Sequence, residues 1–178
     1  MNSLGDTDIL KRPLLALVCS VRCPGDLILK AYDTAKALRE AGVAVIGGFH
    51  TPMEKECLRI LLRGKQPVVV CPARSIEGMR VPAEWRGPIK EGRLVVASPF
   101  EAKHSRVTAA LSAQRNEMVA QIASALLVVH AAKGGATEAL CAAAIAQGKR
   151  VYTLDSPANA HLVALGARVV GDVGEIVV

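Results

Sequence analysis

The chain has 178 residues, of which 51% are hydrophobic and 21% charged. This balance indicates one globular domain over residues 1–178 and excludes a disordered protein. No apolar run approaches the roughly 20 residues of a membrane-spanning helix, and residues 1–12 lack the apolar stretch of a signal peptide. We therefore expect a cytoplasmic protein without a membrane partner. The five cysteines form no C-x-x-C pair, so we expect neither a disulfide framework nor a zinc site. We also expect no other metal and no cofactor.

The net charge of +6 is concentrated in the middle of the chain. Residues 55–115 carry 12 Lys and Arg against 5 Asp and Glu, whereas residues 1–54 carry 6 against 6 and residues 116–178 carry 4 against 5. A basic surface attracts phosphate-bearing partners, but a run of charges is also typical of a solvated face.

Apolar runs that are typical of buried strands alternate with helical patterns along the chain. The predicted strands cover residues 13–21, 43–46, 67–71, 94–97, 126–130 and 151–154, and residues 168–170 with 176–178 are predicted to form a last edge strand or a cover. The predicted helices cover residues 26–41, 52–62, 108–124, 137–147 and 157–165. Residues 72–91 are expected to be irregular. The alternation indicates βαβ units and an α/β fold, a Rossmann-like three-layer sandwich with a mostly parallel sheet.

Ligands of such sheets bind at the carboxyl ends of the strands, and the loops after two strands have the residue types of an anion site. After the first strand, Ser20 and Arg22 supply a hydroxyl and a guanidinium beside a helix start. After the strand at 126–130, Gly134, Gly135 and Thr137 lead into another helix. This second loop is the best candidate anion site, although both loops also fit ordinary turns.

A third loop follows the second strand and holds Gly47, Gly48, Phe49 and His50. The two glycines allow a ligand to approach the backbone closely, or they serve a tight turn alone. His50 is suited either to bind a ligand or to cap the helix. No G-x-x-x-x-G-K-[ST] or G-x-G-x-x-G motif is present, which argues against classical ATP hydrolysis and classical NAD binding.

Five segments in this order resemble the Rossmann-like core of the DprA/Smf family of DNA-processing proteins, most closely its short stand-alone members. They are GGFHTPMEKECLRILLRG (47–64), PVVVCPARSIEGMRVPAEW (67–85), SPF (98–100), QRNEMVAQIASALLVVHA (114–131) and GGATEAL (134–140). The resemblance implies binding of single-stranded DNA, loading of a recombinase partner and a homodimer. Arg22, the Arg115-Asn116 pair and the loop with Gly134, Gly135 and Thr137 match functional positions of the family.

The leading hypothesis is a DprA-like binding protein that contacts the phosphates of single-stranded DNA or of a nucleotide-derived ligand. Arg74, Arg80 and Arg106 are predicted to extend the site into a phosphate track, together with Arg86, Lys90, Arg93 and Lys103. One alternative is a phosphoribohydrolase like the lonely-guy proteins of the same superfamily, with Arg115 and Glu138 as catalytic residues. The other is a nucleotide sensor without catalysis.

Overall fold

An eight-stranded sheet forms the centre of the protein in the computed structural model, which describes residues 1–178. The strands are β1 (Asn2–Leu4), β2 (Leu15–Cys19), β3 (Val45–Gly47), β4 (Val68–Val70), β5 (Leu94–Ser98), β6 (Ala125–His130), β7 (Arg150–Leu154) and β8 (Arg168–Val170). Their order is β1-β5-β4-β3-β2-β6-β7-β8, and every neighbouring pair is parallel except β1 with β5. The predicted α/β class with a mostly parallel sheet is confirmed.

Six helices cover the sheet: α1 (Gly25–Glu40), α2 (Pro52–Leu61), α3 (Ala83–Lys90), α4 (Ala109–Ile122), α5 (Ala136–Ala146) and α6 (Ala160–Leu165). Short 3-10 turns occur at Thr7–Lys11, Pro157–Asn159 and Val173–Glu175. None of the helices combines the length and the apolar character that crossing a membrane requires.

The two faces of the sheet carry separate cores, because successive strand residues point in opposite directions. Leu15 and Leu17 of β2 belong to the core formed with α1 and α2, which α3 borders. Ala16 and Val18 of the same strand belong to the core formed with α4, α5 and α6. Since both faces of β2 are buried, its sequence is a continuous apolar run rather than an alternating one.

The path of the chain creates a crevice between β2 and β6. From β2 the chain builds β3, β4 and β5 on one side, and α4 then leads to β6 on the other side of β2. The loops after β2 and β6 therefore diverge at the carboxyl edge of the sheet. In open α/β sheets this point of reversal is where ligands bind.

One strand and one α-helix were not predicted from the sequence. Strand β1 is exposed and only three residues long, so its sequence carries no apolar pattern, and it pairs with β5 at the edge of the sheet. Helix α3 lies within the segment that we expected to be irregular. It contains Pro88, which removes one helical hydrogen bond, but Trp85 and Ile89 still pack on the core.

Candidate functional site

A cleft of about 510 Å³ opens at the crevice between the ends of β2 and β6. One wall is the loop after β2, and the others are the start of α2, the exposed face of α4 and the first turn of α5. Its polar lining is provided by Ser20, Arg22, His50, Thr51, Glu54, Ser112, Asn116 and Thr137. Five of these eight residues were predicted as ligand contacts; Thr51, Glu54 and Ser112 were not.

Ser20 joins the two loops that border the cleft. Its backbone N–H donates to the carbonyl of His130 at 2.9 Å, and its hydroxyl oxygen accepts the N–H of Ala132 at 2.9 Å. The hydroxyl proton of Ser20 is not used in these two bonds and is available to a ligand in the cleft. Arg22, two residues further along, is exposed and forms no ion pair within the chain. The loop thus presents one hydroxyl and one uncommitted guanidinium to the cleft.

The opposite wall is the start of α5. No side chain caps this helix, whose N-cap residue is Gly135, so backbone N–H groups of the first turn face the entry beside Thr137. A Cβ on Gly135 would lie 2.9 Å from the carbonyl oxygen of Ala132. The turn itself therefore requires this glycine. Gly134 has φ +74°, which also favours glycine.

Glu54 is a central residue of the site that sequence reasoning missed. The residue is 3% exposed. Oε1 accepts the N–H of Cys19 at 2.9 Å, and Oε2 accepts the N–H groups of His50 at 3.0 Å and Thr51 at 3.3 Å. The contact with Thr51 completes a capping box at the start of α2. The Thr-x-x-Glu spacing is the sequence signature of that motif and was the available signal.

Arg115 lies beside Glu54 and is 1% exposed. Its Nη1 donates to the carbonyl of Cys71 at 2.8 Å, its Nε to Asn116 Oδ1 at 2.7 Å, and its Nη2 contacts His50 Nδ1 at 3.0 Å. Burial lowers the pKa of this guanidinium, and the nearby charge of Glu54 opposes that shift. The side chain is thus enclosed by protein and does not line the cleft.

The glycine turn after β3 packs against this arginine. A Cβ on Gly48 would lie 1.7 Å from Arg115 Nη1, so the missing side chain makes room for the guanidinium. Gly47 and Phe49 are buried, and Phe49 has φ +47°. None of the three lines the cleft, whereas His50 does.

The basic residues of the predicted phosphate track do not all lie at the same edge of the sheet. Arg74, Arg80 and Arg106 are exposed on the loops after β4 and β5. These two loops are joined, since Ser98 Oγ donates to the carbonyl of Arg74 at 2.7 Å and the N–H of Ser75 donates to that of His104 at 2.8 Å. Arg106 is three residues from Ala109, which lines the cleft.

Of the four other basic residues, three lie away from these two loops. Arg86 and Lys90 belong to α3, which leads away from the carboxyl edge. Arg93 immediately precedes β5 at the amino edge and donates to the carbonyl of Leu62 at 3.1 Å. Lys103 is on the expected loop but pairs with Glu101 at 3.0 Å.

Glu138 lies outside the cleft. Its Oε2 accepts the N–H of Gly134 at 3.1 Å and lies 3.3 Å from His161 Nε2. The carboxylate thus stabilises the turn before α5. Nowhere in the chain do three or more His, Cys, Asp or Glu side chains group so that they could hold a metal ion.

The model of the DNA recombination-mediator protein A family matches residues 1–178. Two solved structures of DNA processing protein A share the fold. The Streptococcus pneumoniae protein gives a TM-score of 0.81 at 16% identity. The match covers 99% of this chain and 66% of the Streptococcus pneumoniae chain, so this chain spans about two thirds of the length of that protein. The Helicobacter pylori protein was solved to describe its single-stranded DNA binding mode. It gives a TM-score of 0.78 at 14% identity, and the match covers 97% of this chain and 82% of the Helicobacter pylori chain.

A molybdenum cofactor binding protein from Rippkaea orientalis also shares the fold. Its TM-score is 0.62 at 12% identity, and the match covers 90% of each chain. No curated protein matches the sequence. At identities this low, the likeness to solved structures establishes the fold, including its Rossmann-like character.

Proposed function

Because this chain belongs to the DNA recombination-mediator protein A family, we propose that it binds single-stranded DNA. One phosphate of the strand is held in the cleft between the ends of β2 and β6, and the strand continues over the loops after β4 and β5. The single-stranded DNA binding mode described for the Helicobacter pylori protein supports this class of ligand.

The observation that carries the proposal is the set of anion-binding groups around one cleft. Arg22 and the Ser20 hydroxyl lie on one wall, and the uncapped first turn of α5 with Thr137 lies on the other. Guanidinium groups and helix N-termini both favour phosphate oxygens. Because Arg22 has no carboxylate partner, a phosphate does not have to displace one.

The exposed arginines next to the cleft support a ligand longer than one nucleotide. Strands β4 and β5 are the second and third strands from β2 in the sheet. Neighbouring strands are about 4.8 Å apart, so the loop with Arg74 and the loop with Arg106 lie within a few nucleotide lengths of the cleft. A polynucleotide that leaves the cleft on this side meets cations without ion-pair partners.

Phosphate contacts must provide most of the affinity, since the chain has few aromatic residues to stack on bases. Of its five aromatic side chains, Phe49, Phe100 and Tyr152 are buried. Stacking platforms of exposed aromatic rings are typical of sequence-tolerant single-strand binders. Binding is therefore expected to weaken steeply as salt is added.

The direct test is a fluorescence-anisotropy titration of a labelled oligothymidylate at several salt concentrations. Arg22→Ala is expected to weaken binding and to reduce the slope of log K against log salt by about 0.7, the value of one single-strand phosphate contact. Arg12→Ala is the matched control, because Arg12 is also exposed but precedes β2 at the amino edge. Equal effects of the two substitutions, or no binding by the wild type, would contradict the proposal.

A second candidate, a nucleotide-derived small ligand, is favoured by the size of the cleft. Its volume of about 510 Å³ lies within the range of about 300–1,000 Å³ that is usual for small-molecule sites. The same fold serves a molybdenum cofactor binding protein. If this candidate is right, a mononucleotide competes fully with the oligonucleotide at similar concentration. No observation favours a phosphoribohydrolase, since Glu138 is engaged outside the cleft.

A further inference from the structure

The contacts of His50 determine which of its ring nitrogens carries the proton. Nδ1 lies 3.0 Å from Arg115 Nη2 and 3.3 Å from Glu54 Oε2. A guanidinium can only donate hydrogen bonds, so the shorter contact is a bond only if Nδ1 offers a lone pair. Glu54 Oε2 already accepts the backbone N–H groups of His50 and Thr51. The contacts therefore favour the ring with its proton on Nε2.

The orientation of the ring is fixed by groups that are themselves held in place. Arg115 is anchored by the carbonyl of Cys71 and by Asn116 Oδ1, and Gly48 has no side chain that could displace it. Glu54 compensates the buried positive charge. Because Nδ1 faces these buried groups while the side chain of His50 remains 45% exposed at the cleft, Nε2 is on the outward edge of the ring.

We propose that His50 is a fixed hydrogen-bond donor whose Nε2–H contacts an acceptor oxygen of the bound nucleotide, and that Arg115 and Glu54 are the positioning residues that hold it. The proposal rests on the proposed function, since it takes the cleft to be the nucleotide site. Arg115 then acts through His50 and not by touching phosphate, because it is 1% exposed and each of its three nitrogens has a contact within the protein.

Two substitutions of His50 test the donor role. The amide nitrogen of Gln reaches the position of the histidine Nε2, whereas that of Asn reaches the position of Nδ1. We expect His50→Gln to retain the affinity for oligothymidylate, and His50→Asn to lose about fivefold or more, the value of one hydrogen bond. Because the side chain is half exposed, both variants are expected to fold. Equal losses in the two variants would overturn the donor role.

The positioning role is tested by NMR of the histidine ring nitrogens in the free protein, which requires no ligand. The wild type should show His50 with the proton on Nε2, and Arg115→Lys should give a mixture of tautomers. A ring protonated on Nδ1 in the wild type would overturn the positioning role. If Arg115→Lys fails to fold, the wild-type spectrum alone decides.

The outcomes separate the two proposals. A wild type that binds no oligonucleotide contradicts the proposed function and, with it, the contact of His50 with a nucleotide. A wild type that binds while His50→Gln and His50→Asn lose affinity equally contradicts only the donor role of His50.

Discussion

Glu54 Oε1 accepts the backbone N–H of Cys19 at 2.9 Å across a separation of 35 residues. Cys19 is the last residue of β2, and Glu54 is in the first turn of α2. The same carboxylate also accepts the N–H groups of His50 and Thr51. One buried side chain therefore holds together two walls of the cleft, and its ionisation is tied to the stability of the fold.

This arrangement predicts that acid destabilises the protein through Glu54. Burial alone would raise the pKa of the carboxyl group, but its hydrogen bonds, among them those from the backbone N–H groups of Cys19 and Thr51, outweigh burial, and the pKa lies below the usual 4.5. Because the pKa is lower in the folded protein, this contribution is complete above about pH 4.5 and is lost as the pH falls through the folded-state pKa.

The measurement is urea unfolding of the wild type and Glu54→Gln between about pH 7 and pH 3. At neutral pH we expect Glu54→Gln to lower the free energy of unfolding by about 1–3 kcal/mol, since an amide cannot accept all three bonds. The difference should shrink in acid. Glu101→Gln is the control, because Glu101 is exposed and should leave stability unchanged. A constant difference across the pH range would contradict the prediction.

The elements of the fold could be predicted from local pattern, whereas the interior of the site could not. The run that became β2 and the cap Thr51-Pro52 of α2 are local signals. The burial of Arg115 depends on the carbonyl of Cys71, 44 residues away. Such a contact leaves no trace in the helical pattern of α4, and the ligand contact expected for this residue came from the family resemblance alone.

A second prediction concerns Gly48. Gly48→Ala places a Cβ 1.7 Å from Arg115 Nη1 and forces the guanidinium or the turn to move. We expect a loss of about 1–3 kcal/mol in the free energy of unfolding, as for other overpacked sites. Gly25→Ala is the matched control, because a Cβ there meets no atom within 4 Å. Thermal unfolding that shows equal changes in the two variants would exclude the close packing of Gly48 on Arg115.

A third prediction is that the protein forms a homodimer in solution. The mean hydropathy of +0.31 is high for a small monomer, and large apolar side chains remain exposed. Val21 and Leu29 are exposed near the start of α1, and Leu165 and Val169 near the edge strand β8. Because protein interfaces cover apolar side chains, we expect one of these two regions to lie in the interface.

Light scattering during size-exclusion chromatography measures the oligomeric state directly. We expect twice the chain mass of 18.7 kDa. Leu29→Lys and Val169→Lys test the two apolar surfaces separately, and the one that lies in the interface should give the monomer. A wild type that elutes with the mass of one chain at all concentrations would exclude the dimer.

The fourth prediction separates a nucleic-acid track from a solvated basic surface. Reversal of Arg80 and Arg106 to Glu should weaken binding of oligothymidylate and reduce the salt slope by about 1.4, equivalent to two single-strand phosphate contacts. Both side chains are exposed on loops at the carboxyl edge. Binding of a mononucleotide in the cleft should persist, because neither residue lines it.

The matched control reverses Arg63 and Lys65, which are also exposed but lie between α2 and β4 at the amino edge. This control changes the net charge by the same amount, so it separates the effect of where the charges lie from the effect of the overall charge. If both double reversals weaken binding equally, the effect comes from the overall charge and not from a track. If neither changes the affinity or the salt slope, the basic residues form a solvated surface, and a small nucleotide in the cleft becomes the preferred ligand.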